Sequence, residues 1–167
     1  FFINSFGQRR NRGFTAMNRI ALMKELTLDE GCVYEIYNDH LGYATFGIGH
    51  LITERDPEHG EAVGTPVSEA RVQECFNQDI DIVTDELDNK MHWWRGLDDV
   101  RKRVLANMCF NLGYPRLSGF KRFLAAMGTS QWETAAEEMM DSKWATQVGD
   151  RAERLKQMVL TGEAAHV

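Results

Sequence analysis

The chain has 167 residues, 43% hydrophobic and 26% charged, enough for one good core or for two small lobes sharing a helix. A net charge of −6 argues against a nucleic-acid binder, which shows a basic footprint, and no apolar run approaches the roughly 20 residues of a membrane-spanning helix. Cys32, Cys75 and Cys109 are scattered and odd in number, without paired metal spacing, and read as reduced, packed thiols from a reducing compartment.

Residues 1–16 carry Arg9, Arg10 and Arg12 and no acid, so they hold +3 and the remainder −9. Phenylalanine mixes there with arginine, asparagine and glycine without helical spacing, the pattern of a flexible or loosely docked arm. A membrane-surface or partner-binding role is the alternative. The stretch is too short and polar for a signal-peptide core, and Met17 reads as the start of the folded part.

From Asn18 the spacing predicts a helix, with Ile20, Met23 and Leu26 three apart and Leu22 and Leu26 four apart, giving one apolar face. Glu30 followed by Gly31 reads as its last residue and glycine cap. Residues 33–37 and 43–48 are rich in aromatic and β-branched types around Asn-Asp-His-Leu-Gly, which predicts a hairpin. Residues 54–65, with Pro57, Gly60 and Gly64, predict a surface loop. Ser68 can cap a long helix in which Val72, Phe76, Ile80, Val83 and Leu87 recur. Such a helix of about 20 residues is about 30 Å long and can connect two lobes with a cleft between them.

The rest predicts helices. Val100, Val104, Met108 and Leu112 form one stripe, closed by Gly113 and Pro115; Phe120, Phe123, Leu124 and Met127 form another, closed by Gly128. Ser130 with Glu133, and Asp150 with Glu153, fit capping boxes. The expected class is α+β, mostly α. Residues 17–167 form the folded unit: a hairpin lobe over about 30–67, a bridging helix over about 68–88, and a helical lobe over about 89–167 with the N-terminal helix.

Three polar residues stand out against this frame. Cleaving a glycosidic bond takes two carboxyl groups flanking it, one donating a proton and one assisting water. Glu30 sits at a helix C-terminus, whose partial negative charge favours a protonated neighbour; packing against the hairpin acts the same way, as a general acid requires. Asp39 falls in a polar turn, where an ionised base or charge stabiliser belongs. Thr45 offers a hydroxyl to hold a water beside Asp39. Gly47 and Gly49 mark a bulge or the close approach of a ligand. Taken singly, a glutamate before a glycine cap is usually solvated and a turn aspartate is usually a turn former. Gly-Ile-Gly lacks the third glycine and the following helix of a nucleotide loop.

The spacing of Glu30, Asp39 and Thr45 (eight and then five intervening residues) resembles the signature of the T-even phage lysozymes, the phage-type muramidases of glycoside hydrolase family 24. Gly31, the Ile-Tyr-Asn-Asp of 36–39 and the Thr-Phe-Gly-Ile-Gly-His-Leu of 45–51 surround it. The match continues through Phe76–Asp79, Asn107–Phe110, Gly119–Phe120, Trp144 and Asp150–Arg154. The resemblance implies a lysozyme-like fold and hydrolysis of the β-1,4 bond between N-acetylmuramic acid and N-acetylglucosamine in bacterial peptidoglycan, with inversion and without cofactor. It implies that Glu30, Asp39 and Thr45 are catalytic and that Leu51, Phe110 and Asn111 line the sugar cleft. Arg151 would approach the acid, and His50 and Asp79 would pair to brace the hairpin lobe on the long helix. His50 as a metal ligand is the alternative; no metal is expected.

The sequence also departs from that pattern. Asn111 stands where the T-even enzyme has a cleft glutamine, and Phe123 and Glu138 replace two polar cleft residues. The loop before the bridging helix is shorter, and the acidic body lacks a basic surface for the wall. The expectation is a monomeric endolysin, held in the host cytoplasm until the membrane is breached and then acting on the periplasmic wall. The alternatives are a lytic transglycosylase, which has no use for a water-positioning Asp39–Thr45 pair, and a non-cleaving or tail-associated lysozyme-like module.

Overall fold

The computed structural model describes residues 16–165, so the expectation of an N-terminal arm lies, except for Ala16, outside the described residues. Helix α1 (Arg19–Glu30) starts where the Asn18 side chain accepts from the Ala21 N–H, and stops at Gly31, whose N–H donates to the Thr27 carbonyl. A three-stranded antiparallel sheet follows: β1 (Val33–Asn38), β2 (Ala44–Gly47) and the two-residue β3 (His50–Leu51). Tyr37 faces Thr45 across the first pair, Phe46 faces His50 across the second, and the β1–β2 register slips between Val33 and Tyr37. The sequence pattern supplied the hairpin but not β3, because two residues carry no readable alternation.

Helix α2 (Glu69–Lys90) is capped by Ser68 as expected, its Oγ accepting from the Arg71 N–H. A 3-10 turn (His92–Gly96) leads to α3 (Asp99–Leu112), α4 (Tyr114–Leu117), α5 (Lys121–Gly128), α6 (Trp132–Met140), α7 (Lys143–Val148) and α8 (Asp150–Thr161). The result is mostly helical with a small sheet. Helix α3 is buried on almost every side, from Lys102 to Cys109, as a helix threading the middle of a domain must be. It packs against α1, α2, α4 and α8. One hydrophobic core runs from Ile36, Phe46 and Ile48 of the hairpin, past Val72 and Phe76 of α2, to Trp144 and Leu155.

The structure corrects three local expectations. Ile20 is 69% exposed; the buried side of α1 is Leu22 and Leu26, with Glu25 among them. Apolar spacing placed Leu22, Met23 and Leu26 correctly but added Ile20, whereas the inner face takes in Glu25, an acid matched by Arg103 on α3. Neither capping box forms. Ser130 takes the left-handed region at φ 57° and α6 starts from Gln131 without a side-chain cap; Gly149 precedes α8, so Asp150 is already helical. Pro115 does not end a helix but opens the short α4, where its fixed φ and missing N–H cost nothing.

Among the described residues no helix is long and apolar enough to cross a membrane. All three cysteines are free, Cys75 and Cys109 buried and Cys32 half-buried. Burial pushes the Cys75 thiol up to about 11 and the Cys109 thiol up to about 12.

Candidate active site

Glu30 is placed by the abrupt end of α1. The chain turns at Gly31 and runs straight into β1, leaving the Glu30 side chain 22% exposed at the lobe junction. The turn between β2 and β3 then folds back onto it. A Cβ on Gly49 would lie 3.2 Å from Glu30 Oε2 and 3.3 Å from its Cβ and Cγ, and Gly49 has φ +60°. The two glycines of Gly-Ile-Gly therefore serve the protein's own packing: Gly49 admits Glu30, and Gly47 admits Val72 of α2, whose Cγ1 a Cβ there would meet at 3.1 Å. For Gly49→Ala we expect a loss of about 1–3 kcal/mol from backbone strain, together with reduced activity because Glu30 must shift. Denaturant melts and turnover measured on one preparation check both; a variant with unchanged activity would contradict this placement.

Asp39 begins the tight turn between β1 and β2. Its Oδ1 accepts the Leu41 and Tyr43 N–H groups, both at 2.9 Å, an Asx turn that fixes the carboxylate. Thr45 follows on β2, 4% exposed, and its hydroxyl donates to the Tyr43 carbonyl at 2.9 Å. One cavity of about 950 Å³ has Glu30, Asp39, Thr45, Leu51, Phe110 and Asn111 in its wall. All the residues expected to be catalytic or sugar-binding are thus brought to a single space. Leu51 is 48% exposed, and Asn111 is oriented by accepting the Trp144 indole N–H at 2.8 Å.

Sequence reasoning missed Tyr37 and Tyr43 in this wall and gave Trp144 no contact there. Burial, then the charges of Glu30 and Asp39, push the Tyr37 phenol above its ordinary value. The two acids thus act on one common neighbour. The aromatic run of β1 was a signal for these side chains, but strand alternation alone did not say which face lines a cleft.

Arg151 meets Glu30 from α8, its Nη1 donating to Oε1 at 2.7 Å. Its Nε donates to Asn107 Oδ1 at 2.9 Å, and Asn107 Nδ2 donates to Asp29 Oδ2 at 2.8 Å. Asp29, whose side chain is fully buried, also takes a hydrogen-bonded ion pair from Arg154. The residue preceding the acid is therefore the anchor of the arginine array that grips it. None of Asp29, Asn107 or Arg154 was expected to have a role, although Asn107 and Arg154 lie in the matched segments 107–110 and 150–154.

His50 and Asp79 pair as expected, Nδ1 to Oδ2 at 2.8 Å, and Asp56 adds an unforeseen contact from Oδ2 to Nε2 at 3.1 Å. Burial works against a charged imidazole, but the hydrogen bonds and charges of Asp79 and Asp56 prevail and raise its proton affinity. Arg71 continues the network to Asp56 at 3.2 Å and to Glu58 at 2.7 Å. Two acids of the expected surface loop are thus drawn inward.

The geometry defines a small α+β enzyme with two acids and a threonine at a lobe junction. The family model described as phage lysozyme matches residues 28–159, and the chain belongs to the phage lysozyme family; it is a glycosidase of the lysozyme type. Among its relatives, Probable T4-type lysozyme 1 of Dictyostelium discoideum is 30% identical over 156 residues, 82% of this chain and 92% of the relative. Probable T4-type lysozyme 2 of the same organism is 31% identical over 161 residues, 85% and 95% respectively. The pre-baseplate central spike protein Gp5 of Enterobacteria phage T4 is 30% identical over 161 residues, 86% of this chain but 28% of that protein.

Proposed function

We propose that the protein hydrolyses the β-1,4 bond between N-acetylmuramic acid and N-acetylglucosamine in bacterial peptidoglycan, with inversion, and that it acts as a lytic endolysin. The observation that carries this reading is the shared cavity of Glu30, Asp39 and Thr45. Glu30 donates its proton to the departing glycosidic oxygen. The Thr45 hydroxyl proton is committed to the Tyr43 carbonyl, so toward the cavity Thr45 can only accept. Asp39 Oδ1 is held by two backbone N–H groups, which leaves Oδ2 for a water. A water donating one hydrogen to Thr45 and the other to Asp39 presents its lone pair to the sugar, and Asp39 takes the proton as the bond forms. Leu51, Phe110 and Asn111 line the sugar path, and the His50–Asp79 pair braces the lobe.

Arg151 Nη1 holds Glu30 Oε1 through a charge-assisted hydrogen bond at 2.7 Å, a contact that competes with the sugar for that oxygen. Substrate binding must loosen that contact or outweigh it. We expect Arg151→Ala to change the pH–rate profile; an unmoved profile would refute the idea.

Mass spectrometry of digested peptidoglycan tests the function. Reducing muramic ends support hydrolysis, anhydro ends mean transglycosylation, and intact strands mean a non-cleaving module. Proton NMR of the freshly released anomer tests inversion. The Gp5 likeness favours a second reading, a lysozyme unit built into a particle. Release of the protein into host cytoplasm before lysis supports the free endolysin; its recovery only on assembled particles supports the second.

A further inference from the structure

Among the described residues, one group of potential metal-ligating side chains joins the hairpin lobe to the bridging helix. His50 on β3, Asp56 in the following loop and Cys75 on α2 bring a nitrogen, an oxygen and a sulfur within 4.8 Å of one another. His50 is 9% and Cys75 1% exposed, and the Asp56 side chain 10%. We propose that these three side chains bind a divalent, thiophilic metal ion, Zn²⁺ by its chemistry, through His50 Nε2, Asp56 Oδ2 and Cys75 Sγ.

The donor set selects the metal. Mixed imidazole, carboxylate and thiolate ligands suit Zn²⁺, whereas Mg²⁺ and Ca²⁺ prefer oxygen alone. His50 Nε2 and Asp56 Oδ2 are 3.1 Å apart, close to the ~3.3 Å edge of a tetrahedral zinc site with bonds of about 2 Å. Three protein donors leave one position for water.

The surroundings orient the ligands as a metal site needs. Asp79 Oδ2 lies 2.8 Å from His50 Nδ1; with the proton on that nitrogen, the Nε2 lone pair faces Asp56 Oδ2 at 3.1 Å. A carboxylate behind a ligating histidine is the usual outer support of such sites. Asp56 is held in turn, Oδ2 by the Thr53 N–H at 2.9 Å and Oδ1 by Arg71 at 3.2 Å. The Arg71 charge is met by Glu58 through two contacts at 2.7 and 3.0 Å, so it does not stand alone against an incoming cation. A cavity of about 860 Å³ with His50, Asp56 and Asp79 in its wall gives access.

In the metal-free protein the competing arrangement is a protonated imidazole shared by the two carboxylates. Ligation replaces the protons on Nε2 and on the Cys75 thiol, and both leave to solvent. The metal takes no part in glycoside cleavage. It cross-links the loop after β3 to α2, and so steadies the lobe whose Gly49 and Leu51 line the catalytic cavity.

The test titrates the chelator-treated full chain with Co²⁺ and then Zn²⁺. We expect one Co²⁺ per chain, with a thiolate-to-cobalt charge-transfer band and tetrahedral d–d bands, displaced by Zn²⁺, and a Tm raised by Zn²⁺. Cys75→Ala should lose the sulfur band and bind Zn²⁺ at least about tenfold more weakly, while Cys109→Ala, another buried thiol, keeps both. Asp56→Asn, which retains size and shape, should also weaken binding and serves if Cys75→Ala does not fold. A wild-type spectrum without the sulfur band, or undiminished affinity in both Cys75→Ala and Asp56→Asn, overturns the proposal.

Discussion

Glu30→Gln is expected to clear suspensions of outer-membrane-stripped bacteria about 10²–10⁴-fold more slowly than wild type, the usual worth of a positioned general acid. The amide preserves the length of the side chain and still offers an oxygen to Arg151 Nη1, which now lies 2.7 Å from Oε1. It also keeps the close fit against Gly49. What it removes is the transferable proton. Circular dichroism and Tm close to wild type would show that the fold persists. Clearing at the wild-type rate would eliminate Glu30 as proton donor, and the proposed chemistry with it.

The second large effect concerns stability. Glu25 and Arg103 form a pair whose side chains are 6% and 4% exposed, with Nε lying 2.9 and 3.1 Å from the two carboxylate oxygens. Arg103 also binds Asp99. Replacing the pair's cation, as in Arg103→Met, leaves a buried carboxylate near Asp99 and Asp29, and breaking such pairs typically costs about 3–5 kcal/mol. Burial already pushes the Glu25 carboxyl above its ordinary value, despite the pull of Arg103. A carboxyl raised in the folded state contributes stability at pH below its unfolded value, and loses that contribution as pH rises through the folded value. Without Arg103 the rise is larger. The gap between variant and wild type should therefore be widest near neutral pH and shrink as pH falls to about 4, where carboxyls protonate. Urea melts at both pH values check this, and a gap independent of pH would contradict it.

How much of this was legible beforehand depended on the kind of signal. The caps at Gly31, Ser68 and Gly113 were readable because capping is local chemistry between residues a few positions apart. The cavity-lining role of Glu30, Asp39, Thr45, Leu51, Phe110 and Asn111 was readable through spacing and family likeness. The acids on the inner side of α1 were not, because Glu25 and Asp29 are buried only by virtue of Arg103, Asn107, Arg151 and Arg154, about 80–125 positions away. Cys75 was hidden for a related reason, since it lies on a different element from His50; Asp56 is only six positions from His50, but it sits in a loop whose path no sequence period describes. The failed boxes at Ser130 and Asp150 show the reverse error, a local pattern overruled by how the chain enters α6 and α8.

Helix α1 is fastened to the helical lobe along its length, through Asn18 and Asp99, Glu25 and Arg103, and Asp29 and Arg154. Asp39 and Thr45, by contrast, are held by backbone groups of their own hairpin. In the proposed reaction, proton delivery and water activation are thus mounted on separate supports, each with its own fastenings. Redesigning the five-residue bend from Asp39 to Tyr43 would retune one and editing α3 or α8 the other, so long as the fit of Gly49 against Glu30 is kept.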